Sequence, residues 1–199
     1  MMVEIRFHSL GGQGAVTLIN LLAQAGDLVG KHVQAFPFFG AERRGAPVKS
    51  YVRMDDRPIH LRSQIYRPDF LVVMSPTLLE AAVREGTKDG MVVLVNQGKE
   101  EDAALKGFPF RTYALDATSI ALELGMVVEG MPVLNQVFLG AVSYVTEIIP
   151  LEVVNEVIRR NIPPARLEAS MEAARRGFTS VREVAVAGRK EGRERTAAS

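Results

Sequence analysis

The chain opens on Val3-Glu4-Ile5-Arg6-Phe7-His8, apolar and polar in alternation, the period of a β-strand with one dry face and one polar face. From Ala15 the period changes. Ala15, Leu18, Ile19, Leu22 and Ala25 recur at helical spacing, so a helix follows at once. Gly30 stops it, and 32–36 reads as a short second strand. Residues 48–54 alternate, 55–58 turn, and 59–62 alternate again, a pairing that predicts a β-hairpin. The next strands differ: 70–75 and 91–96 are continuous runs rich in Val and Leu, and 111–116 is a third. Helices are expected at 76–85, 117–124, 134–148, 151–160 and 165–179. Buried-type strands alternating with helices imply parallel strands covered on both faces. The expected fold is α/β, a three-layer α/β/α sandwich around a mostly parallel, mixed sheet with a β-hairpin insertion. Residues 1–186 are expected as one domain, and 187–199, small and charged, as a flexible tail.

Between the first strand and the first helix stands Gly11-Gly12-Gln13-Gly14. Glycine lets the backbone approach a ligand closely, and the first N–H groups of a helix are unpaired and sit at the positive end of its dipole. A phosphate cradle and a tight turn that only packs the helix on the sheet both satisfy this pattern. Two familiar nucleotide motifs do not. Thr17 stands where a dinucleotide fingerprint needs its third glycine, and 33–36 has no acidic residue for a ribose. A Walker loop is also absent, since no Gly-Lys-Ser/Thr follows.

Composition removes further chemistry. The chain has no cysteine, so it offers no disulfide, no thiol nucleophile and no cysteine-ligated iron–sulfur cluster. His8, His32 and His60 lie far apart, outside any metal-ligand spacing; His8 and His32 are expected on strands, at the surface or half-buried. A net charge of +1 gives no case for nucleic acid. No apolar run is long enough for a membrane span, and no signal-peptide pattern precedes the first strand, which together suggest a cytoplasmic protein.

The segment from Ala35 to Pro47 gathers Phe36, Phe38, Phe39, Glu42, Arg43 and Arg44 among prolines and glycines. Long loops of this kind often carry function. Arg43 or Arg44 can fork onto a phosphate or carboxylate, since Glu42 cannot satisfy both; a loop tied down by its own ion pair is the alternative. Basic residues continue through Lys49, Arg53, Arg57, Arg62 and Arg67, against only Asp55 and Asp56, which suits an anionic ligand, an acidic neighbour or merely a solvated strand face. The stretch 62–69 either lines a site or satisfies buried backbone. Asn96 and Asn135 are each candidates for ligand or cap. No nucleophile elbow, triad or carboxylate pair appears, so the chain offers binding groups without a convincing catalytic one.

Four blocks, in order, resemble the gamma subunit (domain III equivalent) of the 2-oxoacid:ferredoxin oxidoreductases, the pyruvate and ketoisovalerate enzymes. They are Gly11 to Gly14 with the helix after it; Ala35-Phe36-Pro37 through Gly40, Glu42 and Arg44-Gly45-Ala46-Pro47; Arg62 to Tyr66 with Pro68-Asp69; and Gly130-Met131-Pro132 with Asn135 and Gly140-Ala141. The resemblance implies a complex that oxidatively decarboxylates a 2-oxoacid, transfers the acyl group to coenzyme A and passes electrons to ferredoxin. It implies thiamine diphosphate and iron–sulfur clusters on alpha, beta and delta-type partner subunits, and none on this chain. It also implies a role in assembly and in holding coenzyme A at Gly11, Gly12, Gln13, Gly14 and Ala15, with Arg43, Arg44 or Lys49 as countercharge. Ser9 and Leu10 depart from the family, which often has glycine two residues ahead of the double glycine and arginine between. The beta-type subunit of indolepyruvate ferredoxin oxidoreductase shares the glycine motif and is an alternative, as is a stand-alone nucleotide- or flavin-binding protein. Alone, the chain is expected to be inactive and to self-associate over its partner surface.

Overall fold

A computed structural model describes residues 1–38, 45–105 and 107–185. Seven strands form one sheet in the order β2-β3-β1-β4-β5-β6-β9. At its centre β1 (Val3–Leu10), β4 (Phe70–Val73), β5 (Val92–Asn96) and β6 (Arg111–Leu115) run parallel. β3 (Pro47–Asp55) joins β1 antiparallel, β2 (His32–Phe38) joins β3, and β9 (Arg182–Ala185) closes the far edge against β6. The expected mixed α/β sheet is the one formed.

Helices cover both faces unequally. α1 (Ala15–Leu28), α3 (Ala117–Glu123), α4 (Asn135–Thr146), α5 (Leu151–Asn161) and α6 (Pro164–Thr179) build the larger core with Ile5, Phe7, Val52, Met54 and Leu94. α2 (Leu79–Arg84) and a 3-10 segment, Lys99–Leu105, cover Leu71, Val73, Val93 and Val95 on the other side. α4 is the central helix, buried from Asn135 to Ser143. It crosses α6 with backbones nearly touching: a Cβ on Gly140 would lie 1.9 Å from the Ala174 carbonyl oxygen, and one on Gly177 1.9 Å from that of Val137. No described helix is long and apolar enough to cross a membrane.

Two sequence expectations are corrected, and three short strands are added. Residues 59–62 form no strand, and the hairpin partner of β3 is β2. The turn at 55–58 lacks a glycine, and Pro58 has no N–H to give a ladder, so the chain runs irregularly from Asp56 to Asp69 across the sheet. β9 and a two-stranded ribbon, β7 (Val127–Val128) with β8 (Met131–Pro132), were not legible, being too short to show a period. Last, the polar side of β1 is not exposed: Arg6 and His8 are buried, whereas His32 is exposed as expected. The expected tail, 187–199, lies outside the described residues.

Candidate functional site

β1 is where the sheet's connections diverge. The chain leaves β1 through α1 toward β2 on one face, and leaves β4 through α2 toward β5 on the other. A crevice opens outside the carboxyl ends of strands at such a divergence, and open α/β sheets place ligands there. The glycine turn occupies that position.

Its geometry is held from three sides. Gln13 folds back so that its Oε1 accepts from Leu10 N–H at 2.8 Å, while its Nε2 donates to the Met74 carbonyl, just past β4, at 3.3 Å. Gly11 donates to the Ala46 carbonyl (2.9 Å) and accepts from Gly45 N–H (3.1 Å), tying the turn to the entry of β3. Leu134 N–H donates to the Gln13 carbonyl at 3.0 Å, bringing α4 against the turn. Gly12 and Gly14 have φ of 100° and 87°, a region that favours glycine. Asn135 closes the contact, since a Cβ on Gly14 would stand 3.1 Å from its side chain.

Within this brace the start of α1 is left open. Its N-cap, Gly14, carries no side chain, and the first turn has no acidic residue. Among the described residues the N–H groups of Gly12, Gly14, Ala15, Val16 and Thr17 donate no hydrogen bond. Gly12 and Thr17 are exposed, so the group opens to solvent. An uncapped helix start with several unpaired N–H groups suits an anion. Gln13 braces the turn, and both ends of its amide are already engaged.

The expected countercharges are not all brought to this place. Arg43 and Arg44 lie outside the described residues. Lys49 pairs with Glu85 and stands 5.9 Å from the Phe38 ring centroid. Strand alternation puts Val52 and Met54 under α1, so Lys49 projects from the opposite face of the sheet.

That opposite face buries two arginines, Arg6 and Arg53. Arg6, 1% exposed, donates to the carbonyls of Ile65 (3.4 Å), Tyr66 (2.9 Å), Ala82 (2.7 Å) and Gly86 (2.9 Å). Arg53 is buried on Glu4 (2.8 Å), Gln34 Oε1 (2.9 Å) and the Gln64 carbonyl (3.3 Å). Arg67 donates to the Thr87 carbonyl at 3.2 Å. Tyr51 stacks on Phe36 with centroids 5.0 Å apart and gives its hydroxyl to Gln64. The carbonyls of Gln64, Ile65 and Tyr66 thus satisfy the two buried arginines, the backbone role expected for part of the stretch 62–69. His8 sits in this layer with no hydrogen-bond partner for Nε2, 3.6 Å from Glu85 Oε2. Burial, reinforced by the Arg6 charge, holds its pKa down to about 4, so it is neutral at pH 7.

The remaining candidates are structural. Asn96 donates to the Met74 carbonyl and Thr118 Oγ1 and accepts from Ala117 N–H, locking β5 to the start of α3. Asn135 accepts from Gln136 N–H at 2.9 Å. Sequence reasoning missed Gln136: it adjoins Asn135 in α4, is buried, and has an unpartnered amide oxygen. Nothing in an apolar helical run marks one glutamine as special.

Comparison with known proteins agrees with this architecture. The profile of the family "Pyruvate ferredoxin/flavodoxin oxidoreductase" matches residues 4–180. The "Pyruvate/ketoisovalerate oxidoreductases common subunit gamma" of Thermococcus kodakarensis is 48% identical, over 89% of this chain and 96% of its own. The "Pyruvate synthase subunit PorC" of Methanothermobacter thermautotrophicus is 41% identical, over 93% and 99%. The crystal structure of pyruvate oxidoreductase subunit PORC from Thermotoga maritima superposes with a TM-score of 0.77 at 36% identity, covering 91% of this chain and 97% of that one. With the whole fold and nearly the whole length of such subunits matched, the chain belongs to the pyruvate ferredoxin/flavodoxin oxidoreductase family, in its gamma-subunit class.

Proposed function

We propose that this chain is the gamma subunit of a cytoplasmic complex that oxidatively decarboxylates a 2-oxoacid, pyruvate or a branched-chain acid. The acyl group goes to coenzyme A and the electrons to ferredoxin. Thiamine diphosphate and the iron–sulfur clusters belong to alpha, beta and delta-type partners, in keeping with a chain that has no cysteine. The part this chain plays is to seat coenzyme A and to assemble the complex. One observation carries the first role: the open N–H groups of Gly12 and of Gly14 through Thr17, at an uncapped helix start beside the sheet's divergence point. A diphosphate placed there is met by backbone donors that are already oriented. Arg43 and Arg44 follow β2 in sequence and are the countercharges we assign; Lys49, engaged by Glu85, is a weaker candidate.

The test is calorimetry of coenzyme A on the assembled enzyme with Gly12→Val and Gly14→Val variants. Both crowd the approach, and each places a β-branched residue at a positive φ. With the fold confirmed by circular dichroism, affinity is expected to fall at least tenfold. Unchanged affinity would make the turn structural.

A further inference from the structure

β2 forms one edge of the sheet, at the end away from β9. The direction of the backbone hydrogen bonds fixes which of its groups are free. Glu4 and His8 turn their carbonyls toward the β4 side, accepting from Asp69 and Met74 N–H at 2.8 Å each. The odd residues of β1 therefore face β3, and just past the strand Gly11 N–H donates to the Ala46 carbonyl at 2.9 Å in the same sense. Carried through the registers Phe7↔Ser50 and Phe36↔Tyr51, this alternation turns the backbone of His32, Gln34, Phe36 and Phe38 toward β3. Val33, Ala35 and Pro37 face outward, and their backbone groups have no hydrogen-bond partner among the described residues.

A free edge invites pairing, and folded proteins blunt it with charges, bulges or proline. From His32 to Phe38, β2 carries no Asp, Glu, Lys or Arg. Its one device is Pro37, set where the missing N–H would have pointed outward, the position at which an edge strand tolerates proline. That removes a single donor and leaves those of Val33 and Ala35 open. Phe38, 44% exposed, ends the same strand.

The strand that fits this edge is a copy of itself. In an antiparallel, two-fold pairing about Ala35, Ala35 exchanges both of its hydrogen bonds with its own copy, and Val33 falls opposite Pro37. Val33 N–H then donates to the Pro37 carbonyl, so the proline supplies only the group it has. Alanine at the axis keeps the two facing side chains small, and no like charges meet, because the strand holds none. His32 falls opposite Phe38, which covers the exposed ring. We propose that two copies of this chain join β2 to β2 about Ala35, continuing one sheet through both. The pairing uses no group of the glycine turn.

Analytical ultracentrifugation of the full chain is expected to show a reversible monomer–dimer equilibrium. Two variants move it in opposite directions, with folding verified by circular dichroism. Ala35→Pro deletes the donors at the axis and leaves the ladder to β3 intact, since that N–H points outward; the dimer Kd should rise by roughly tenfold or more. Pro37→Ala returns a donor opposite the Val33 carbonyl and should tighten the dimer severalfold. Amide exchange followed by NMR should slow at Val33 and Ala35 as protein concentration rises, while Gln34 and Phe36, bonded to β3, stay slow throughout. A monomer at every concentration would overturn the proposal. So would a dimer that Ala35→Pro leaves as tight or Pro37→Ala leaves no tighter, or fast exchange at Val33 and Ala35 in the dimer. A monomeric chain whose Ala35→Pro variant no longer co-purifies with partner subunits would overturn it too, and would give the edge to another chain's strand.

Discussion

Replacing Gly140 by alanine tests how the site is supported from a distance. The new Cβ would lie 1.9 Å from the Ala174 carbonyl oxygen and 2.7 Å from its carbon, where Cβ contacts below 3.0 Å are essentially never found. The obstacle is backbone in the middle of α6, so no rotamer change relieves it; the helices must separate by about 1 Å in a core packed at crystal-like density. Overpacking of this kind costs about 1–3 kcal/mol, and a rigid obstacle puts it at the upper end. Alanine returns about 1 kcal/mol of helix propensity, leaving a net loss of about 2 kcal/mol. With an m-value of about 2 kcal/mol/M in urea, the unfolding midpoint should fall by roughly 1 M without a change in m. Gly26→Ala in α1 is the control. Its Cβ would meet the Val33 Cγ2 methyl at 2.5 Å, the end of a side chain that can turn away, so the midpoint should move much less. Gly140 also lies little more than one turn beyond Asn135 and Gln136, and prying α4 from α6 should loosen the contact of Asn135 with Gly14. Denaturation followed by circular dichroism checks the ranking. A Gly140→Ala protein as stable as the parent, or a Gly26→Ala protein equally damaged, would refute this account of the crossing.

Other consequences are equally open to measurement. Arg6→Met should cost about 3–5 kcal/mol, because it strips donors from four carbonyls in one step; Arg6→Lys should recover little, a compact ammonium being unable to span them. His8 sets a pH dependence. Its pKa falls from 6.5 to about 4 on folding, so the unfolded chain binds the proton first. Stability is full above pH 6.5 and declines as pH drops toward 4, by on the order of 3 kcal/mol. Urea midpoints measured against pH should flatten across that window in His8→Leu, and an unaltered slope would assign the acid limb to other groups. Changing Phe39 and Arg44 together to alanine should leave the fold intact and weaken co-purification with the partner subunits; normal recovery of an active complex would place the interface elsewhere.

The sequence by itself determined the layers and the place of the turn. Continuous Val and Leu runs such as 91–96 mark strands buried on both faces, and the change of period at Ala15 fixes where β1 ends and α1 begins, because each pattern is local and directly reports a face. Zero cysteines decided that this chain holds no cysteine-ligated cluster and no thiol nucleophile. What only the tertiary structure decided depends on contacts between distant segments. Alternation in β1 marks Arg6 and His8 as polar, yet burial follows from the irregular stretch 56–69 crossing above them, whose carbonyls satisfy Arg6. The basic run through Lys49, Arg53 and Arg67 reads as a cationic surface until its partners Glu85, Glu4 and the Thr87 carbonyl are known. The partners of the Gln13 amide, Leu10 N–H and the Met74 carbonyl, are likewise set by the fold. Gln136 carries no sequence signal, because an unpaired amide is defined by what surrounds it, and its neighbours arrive from α1, α6 and the β7–β8 ribbon.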